Sequence, residues 1–210
     1  MIKRVIFDID NTLIMWDDKY YDTFDELLKY YNIKDNIKAD LIRAVDDYEN
    51  KYDIYNMEYM KNLMEEYTNT KLPNDFVLKW IILLEKCVPD KIDPELIEIL
   101  EYLSNKYELI ALTNWFLDEQ VNRLKNYGIY KYFKEILGTE KIKNKPNKEA
   151  YIESAKPYKL EECIMIGDSI TKDVEEPIKY GMDAILYDYK DEYKGNLKKV
   201  KKLIDLKNYL

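Results

Sequence analysis
Asp8 and Asp10 stand one residue apart where an apolar run, residues 2–7, gives way to Asn11-Thr12-Leu13. A buried strand ending this way carries two carboxylates to the edge where open α/β sheets place their chemistry. Two carboxylates so close repel each other and lose solvation, a cost that a hard divalent cation with oxygen-ligand preference removes. Mg²⁺ is the ion this pair suggests. With 41 Asp and Glu among 210 residues, such a pair also arises by chance and, taken alone, reads equally as a solvated turn. Three further segments weigh against chance. Residues 109–112 run into Thr113-Asn114, residues 163–166 run into Gly167-Asp168-Ser169 with Asp173 beyond, and between them Lys145-Pro146 precedes a helical stretch. Each has an ordinary reading as a helix cap, a turn or a surface lysine. Together they form an ordered set: an acidic pair, a hydroxyl with an amide, a lysine, and a second acidic pair.

That set resembles the haloacid dehalogenase-like (HAD) hydrolase superfamily. Its DxDxT pattern reads here Asp8-Ile9-Asp10-Asn11-Thr12, its Ser/Thr reads Thr113, its Lys reads Lys145, and its GDxxxxD reads Gly167 to Asp173. The stretch Thr113-Asn114-Trp115-Phe116, Gln120, Arg123-Leu124, Gly128-Ile129, Tyr132-Phe133 and Lys145-Pro146-Asn147-Lys148 is similar to nucleotidase-like members. Departures are Trp115 where those relatives often carry Gly, no Gly just before Lys145, and Glu176-Pro177 in place of a small pair. The resemblance implies a phosphatase working through an aspartyl phosphate, with Asp8 as nucleophile. It also implies Mg²⁺ held by the Asp8 side chain, the Asp10 carbonyl and Asp168, with Asp173 directly or through water. Thr113, the Asn114 backbone N–H and Lys145 would bind the phosphate. Because the chain has no His, the second carboxylate, Asp10, is the natural group to protonate the leaving oxygen and later take a proton from water.

The elements that must position these residues follow from the pattern. From Asp93-Pro94 onward, helical and strand signals alternate, with strands expected at 108–112, 135–138, 163–166 and 184–187. Helices are expected at 117–127 and 147–155, and a short one ends at Gly181. Repeated βα units demand a Rossmann-like parallel sheet with helices on both faces. Residues 16–89 show no convincing strand. Tyr20, Phe24, Leu27, Leu28 and Tyr31 recur at helical spacing, as do Met57, Met60, Met64 and Tyr67, and 76–87 is apolar enough for a buried helix. The expectation is an α/β catalytic core of residues 1–15 and 90–210 and a helical cap domain of about four helices at 16–89, overlying the site. The Met and Tyr stripes read as packing. Trp16 and Trp115 read either as packing or as stacking surfaces for a base or sugar.

A net charge of −8 argues against a nucleic-acid partner, which needs clustered Lys and Arg. The lysines of 194–202 read as the wet face of a last helix. Cys87 and Cys163 have no CxxC spacing, which suits a reducing compartment and gives no zinc site. No apolar run approaches a membrane span and no signal-peptide layout opens the chain, so a cytoplasmic location is expected. The absence of His excludes Ser-His and Cys-His nucleophiles. The leading function is Mg²⁺-dependent hydrolysis of a small phosphorylated metabolite, a nucleoside monophosphate or a sugar phosphate. A phosphomutase of the same fold and a non-enzymatic phospho-acceptor are the alternatives. Asp10 weighs against dehalogenation, because the superfamily's dehalogenases lack an acid there.

Overall fold
Strand β1 (Arg4–Phe7) is buried along its whole length, the signature of a strand covered on both faces. The computed structural model describes residues 1–15 and 19–210; Trp16 lies outside the described residues. After β1 come five helices, α1 (Lys19–Tyr30), α2 (Lys38–Asp46), α3 (Tyr48–Lys51), α4 (Met57–Thr68) and α5 (Phe76–Leu84). The alternating part follows: α6 (Pro94–Ser104), β2 (Glu108–Thr113), α7 (Leu117–Asn126), β3 (Glu135–Gly138), α8 (Lys148–Ala155) and β4 (Cys163–Gly167). A π-helical turn, Ile170–Glu175, then runs into α9 (Glu176–Lys179), and β5 (Asp183–Tyr187) and β6 (Lys199–Val200) complete the sheet.

The six strands are parallel in the order β3-β2-β1-β4-β5-β6, with Arg4 beside Glu108 on one flank and beside Cys163 on the other. Alternation sorts the side chains. Val5, Phe7, Leu109, Ala111, Ile164 and Ile166 face Leu96, Ile99, Leu100 and Leu103 of α6. Ile6, Ile110, Leu112 and Met165 face Ala150, Tyr151 and Ala155 of α8. Helix α6 starts where Asp93 accepts a hydrogen bond from Glu95 N at 2.9 Å and Pro94 occupies the first turn, where its missing N–H is no loss.

The insertion has an apolar cluster of its own. Tyr20, Phe24, Leu27, Leu28, Met60 and Met64 are buried in it and Tyr31 and Tyr67 pack at its edge, whereas Met57, read as part of the same stripe, opens α4 exposed to solvent. Trp80 stacks on Phe24 with ring centroids 4.5 Å apart and donates from Nε1 to Thr23 Oγ1 at 2.9 Å. Trp115 and Phe116, from the loop after β2, join the same cluster. The insertion therefore rests on the loop that carries Thr113 and Asn114.

The reading of 194–202 as a helix face is overturned. Lys198 and Lys199 pair individually with Asp183 and Asp188, at 2.8 and 2.7 Å. Leu186 N and Asp188 N donate to Lys198 O and Val200 O, both at 2.9 Å, which draws the segment into the sheet as β6. Two residues are too short for an alternation signal. Residues Leu203–Asn208 then form a tight helical turn with Leu203 and Leu206 buried. Among the described residues, no helix is long and apolar enough to cross a membrane.

Candidate active site
Asp8, Asp10, Thr113, Asn114, Lys145, Asp168 and Asp173, the expected site residues, gather beyond the carboxyl ends of the strands. Asp8 follows β1 and its N–H continues the ladder to Ile166 O at 2.8 Å; Thr113 ends β2; Asp168 follows β4. They surround a cavity of about 680 Å³ whose floor includes Asp8, Asp10, Thr113, Asn114, Lys145, Asp168 and Asp173. Its roof comes from the insertion, with Tyr21, Glu49, Asn50, Tyr52 and Tyr55.

Asp8, Asp168 and Asp173 each offer a carboxylate oxygen, all within 4.8 Å of one another. Lys145, buried at 2% exposure, donates from Nζ to Asp8 Oδ1 and to Asp173 Oδ1, both at 2.7 Å. Burial works against its ammonium, but Asp173 and Asp8 outweigh that and hold its pKa above the usual lysine range. Three carboxylates against one ammonium leave negative charge uncompensated. Burial lifts the Asp8 carboxyl well above its ordinary range, Lys145 offsets part of this, and Asp173 and Asp168 push it further. Burial, then Asp173, raises Asp168 to about 6. An all-oxygen donor set with surplus negative charge fits Mg²⁺ and gives no soft ligand for zinc.

The positions of these groups have local causes. Asn114 accepts from Lys145 N at 2.8 Å and donates from Nδ2 to Lys145 O at 2.7 Å, so its side chain brackets the lysine's backbone. Asp173 Oδ2 accepts from Ser169 N at 3.0 Å, folding the turn after β4 back on itself. A Cβ at position 167 would sit 2.3 Å from that Oδ2, so only Gly167 leaves room for the Asp173 carboxylate. Asn11, at φ 57°, opens the turn beyond Asp10, where Ile9 O accepts from Leu13 N and Ile14 N.

Asp10 lines the cavity, but its carboxylate stands apart from the three-carboxylate cluster. Its Oδ1 accepts from Arg123 Nη1 and its Oδ2 from Gln120 Nε2, each at 2.6 Å. Trp115, at 4% exposure, packs edge-on against Trp80 and Tyr20. Sequence reasoning missed Glu49. It reaches from α3 across the cavity, where Oε2 accepts from Asn114 Nδ2 at 3.1 Å and from Lys172 Nζ, while Tyr55 OH donates to Oε1 at 3.0 Å. Nothing distinguished it among the insertion's many acids. Gln120 and Arg123 stood in the stretch that resembles nucleotidase-like members, and α7 buries both beside Glu119 and Leu124.

The chain belongs to the haloacid dehalogenase-like hydrolase family, whose profile matches residues 2–178. Pyrimidine 5'-nucleotidase PynA of Streptococcus pneumoniae is 26% identical over 205 residues, covering 88% of this chain and 83% of its own. YfnB of Bacillus subtilis, named as a HAD-hydrolase, is 29% identical over 91 residues, 41% of this chain and 39% of its own. Its magnesium-bound crystal structure superposes with a TM-score of 0.71 at 21% identity, covering 99% and 98% of the two chains. A 2-haloacid dehalogenase from Pseudomonas syringae pv. Tomato DC3000 superposes with a TM-score of 0.74 at 19% identity, over 99% and 97%. The shared fold thus spans more than one hydrolytic chemistry, and the site must discriminate.

Proposed function
We propose that this chain is a Mg²⁺-dependent phosphatase acting on a small phosphate monoester, with nucleoside monophosphates and sugar phosphates as the substrate classes. The observation that carries this reading is the separate holding of two carboxylates: Asp8 by Lys145 in the acidic cluster, and Asp10 by Arg123 at the cavity wall. A dehalogenase has no use for the second. Names among the relatives, a pyrimidine 5'-nucleotidase and a HAD phosphatase from Thermococcus onnurineus, support the same choice.

Asp8, Asp168, Asp173 and the Asp10 carbonyl are the groups that would hold Mg²⁺, which when bound supplies positive charge to the phosphate and the carboxylates around it. Thr113 and the Asn114 backbone N–H would donate to phosphate oxygens, with Lys145 offsetting charge on nucleophile and phosphate. An Asp8 oxygen attacks phosphorus as the bond to the leaving oxygen breaks, and Asp10 gives that oxygen its proton. Water then attacks the phosphorus of the aspartyl phosphate, Asp10 takes the water's proton, and phosphate and the Asp8 carboxylate are released. The insertion serves as a cap domain that excludes water from these steps. Its 52–55 segment is fastened to the core by Asn144 N to Asp53 O at 2.6 Å and Tyr55 N to Thr139 O at 3.0 Å.

Hydrolysis of p-nitrophenyl phosphate tests the reading. Activity is expected only with added Mg²⁺ and is expected to vanish in Asp8→Asn. Full turnover in excess EDTA, or in that variant, would falsify it.

A further inference from the structure
Three polar side chains of α7, Glu119, Gln120 and Arg123, are wholly buried, although the hydrolytic scheme gives none of them a role. Gln120 and Arg123 bind the two oxygens of Asp10, each at 2.6 Å. The same Arg123 Nη1 donates to the hydroxyl of Tyr20, on α1 of the insertion, at 2.9 Å. Tyr20 OH in turn donates to Glu119 Oε1 at 3.2 Å. Glu119 Oε1 lies 3.5 Å from Arg123 Nε, a loose contact beside the tight one to Asp10. Among the described residues, two atoms of this pair are buried with no hydrogen-bond partner: Arg123 Nη2 and Glu119 Oε2. Burial pushes the Glu119 carboxyl up to about 8 even with Arg123 beside it, as befits a carboxyl whose cation is engaged elsewhere.

A guanidinium shut away from water needs a carboxylate partner, and stranding it is strongly destabilising. Here the partner is Asp10, the group that must engage first the leaving oxygen and then water. Each time Asp10 turns to that work, Arg123 loses its counter-charge. Among the described residues, Glu119 is the other carboxylate against it, with one oxygen idle.

We propose that Glu119 is a positioning residue, the reserve partner onto which Arg123 turns whenever Asp10 leaves it, with Tyr20 of the insertion joining the two. The kinetic consequence rests on the phosphatase reading; the structural consequence does not. A double-mutant cycle tests the structural part in Mg²⁺-free buffer. Asp10→Asn and Glu119→Gln each leave Arg123 one carboxylate, whereas the double variant leaves none. The thermal midpoint of the double variant is therefore expected to fall by more than the sum of the single shifts. Adding Arg123→Met is expected to recover much of that loss, which keeps the test decisive even where the double variant fails to fold. In a crystal structure of Asp10→Asn, the 3.5 Å contact between Arg123 and Glu119 is expected to close to a direct hydrogen bond. Additive midpoints, no recovery with Arg123→Met, or an unmoved Arg123 would overturn the proposal.

Kinetics then separate positioning from mere structure. Glu119→Gln is expected to lower kcat on a sugar phosphate about tenfold more than on p-nitrophenyl phosphate, whose leaving group needs no proton, with KM little changed. Glu119→Asp is expected to restore the difference. Equal losses on both substrates overturn the positioning role. Absence of phosphatase activity in the unaltered protein defeats the functional reading and leaves the cycle to decide the exchange of partners.

Discussion

Replacing Lys145 by Met removes the one cation that joins Asp8 to Asp173 at 2.7 Å while keeping the bulk of a side chain that is 2% exposed. What remains is three carboxylates whose oxygens lie within 4.8 Å of one another. Breaking a buried pair by removing one partner costs about 3–5 kcal/mol. At roughly 2–4 °C per kcal/mol for a chain of this size, the melting midpoint should drop by about 6–20 °C in EDTA near neutral pH. Proton uptake limits the damage. Burial and Asp173 already raise Asp168 to about 6, and burial lifts Asp8 above the carboxylate range. A carboxyl whose folded pKa is raised contributes stability that is complete below its unfolded value, near 4, and is lost as pH rises through about 6. The deficit of Lys145→Met should therefore be small at acidic pH and grow toward neutrality. Mg²⁺ bound only to the folded state adds about 2.7 kcal/mol at a hundredfold excess over Kd. It should recover more in the variant, where no ammonium competes for Asp8. Thermal and urea melts at acidic and neutral pH, with EDTA and with Mg²⁺, measure all three effects. A neutral-pH loss under about 1 kcal/mol, or a larger loss at acidic pH, would refute the electrostatic account of the cluster.

Asp10→Asn should lose about 10²–10⁴ in turnover and accumulate phosphate on the peptide carrying Asp8 when mixed rapidly with p-nitrophenyl phosphate. A variant that turns over normally, or traps nothing, removes Asp10 from proton transfer. Trp80→Ala empties the site stacked on Phe24 and should cost about 3–5 kcal/mol in urea unfolding, and a loss below about 1 would contradict the packed core of the insertion. The amide protons of Tyr55 and Asn144 bridge insertion and core, so their hydrogen exchange should slow together when Mg²⁺ and a phosphate analogue are added. Unchanged exchange at both would count against a lid.

The parallel sheet was legible because its longer strands are apolar runs cut off by polar residues, and the helix before β2 carries an apolar stripe of Leu96, Ile99, Leu100 and Leu103. Those are local patterns, and they survive in one dimension. Strand β6 escaped notice because the segment Lys198-Lys199-Val200 is held by Asp183, Asp188 and backbone partners that only folding brings near. For the site, Asp8, Thr113 and Asp168 could be picked out from their places at strand ends, since parallel strands collect their carboxyl termini at one edge, whereas Lys145 and Asp173 were legible from their order and spacing relative to these. Their hydrogen-bond partners could not. That Lys145 bridges two aspartates, that Asn114 brackets its backbone, and that Asp173 lies against Gly167 depend on loop conformations and on one missing Cβ. The orientation of Asp10 is the clearest case: which way a carboxylate turns is decided by donors 110 and 113 residues away along the chain. Sequence identifies groups capable of chemistry; burial and long-range contacts decide which of them share a proton, a cation or a partner.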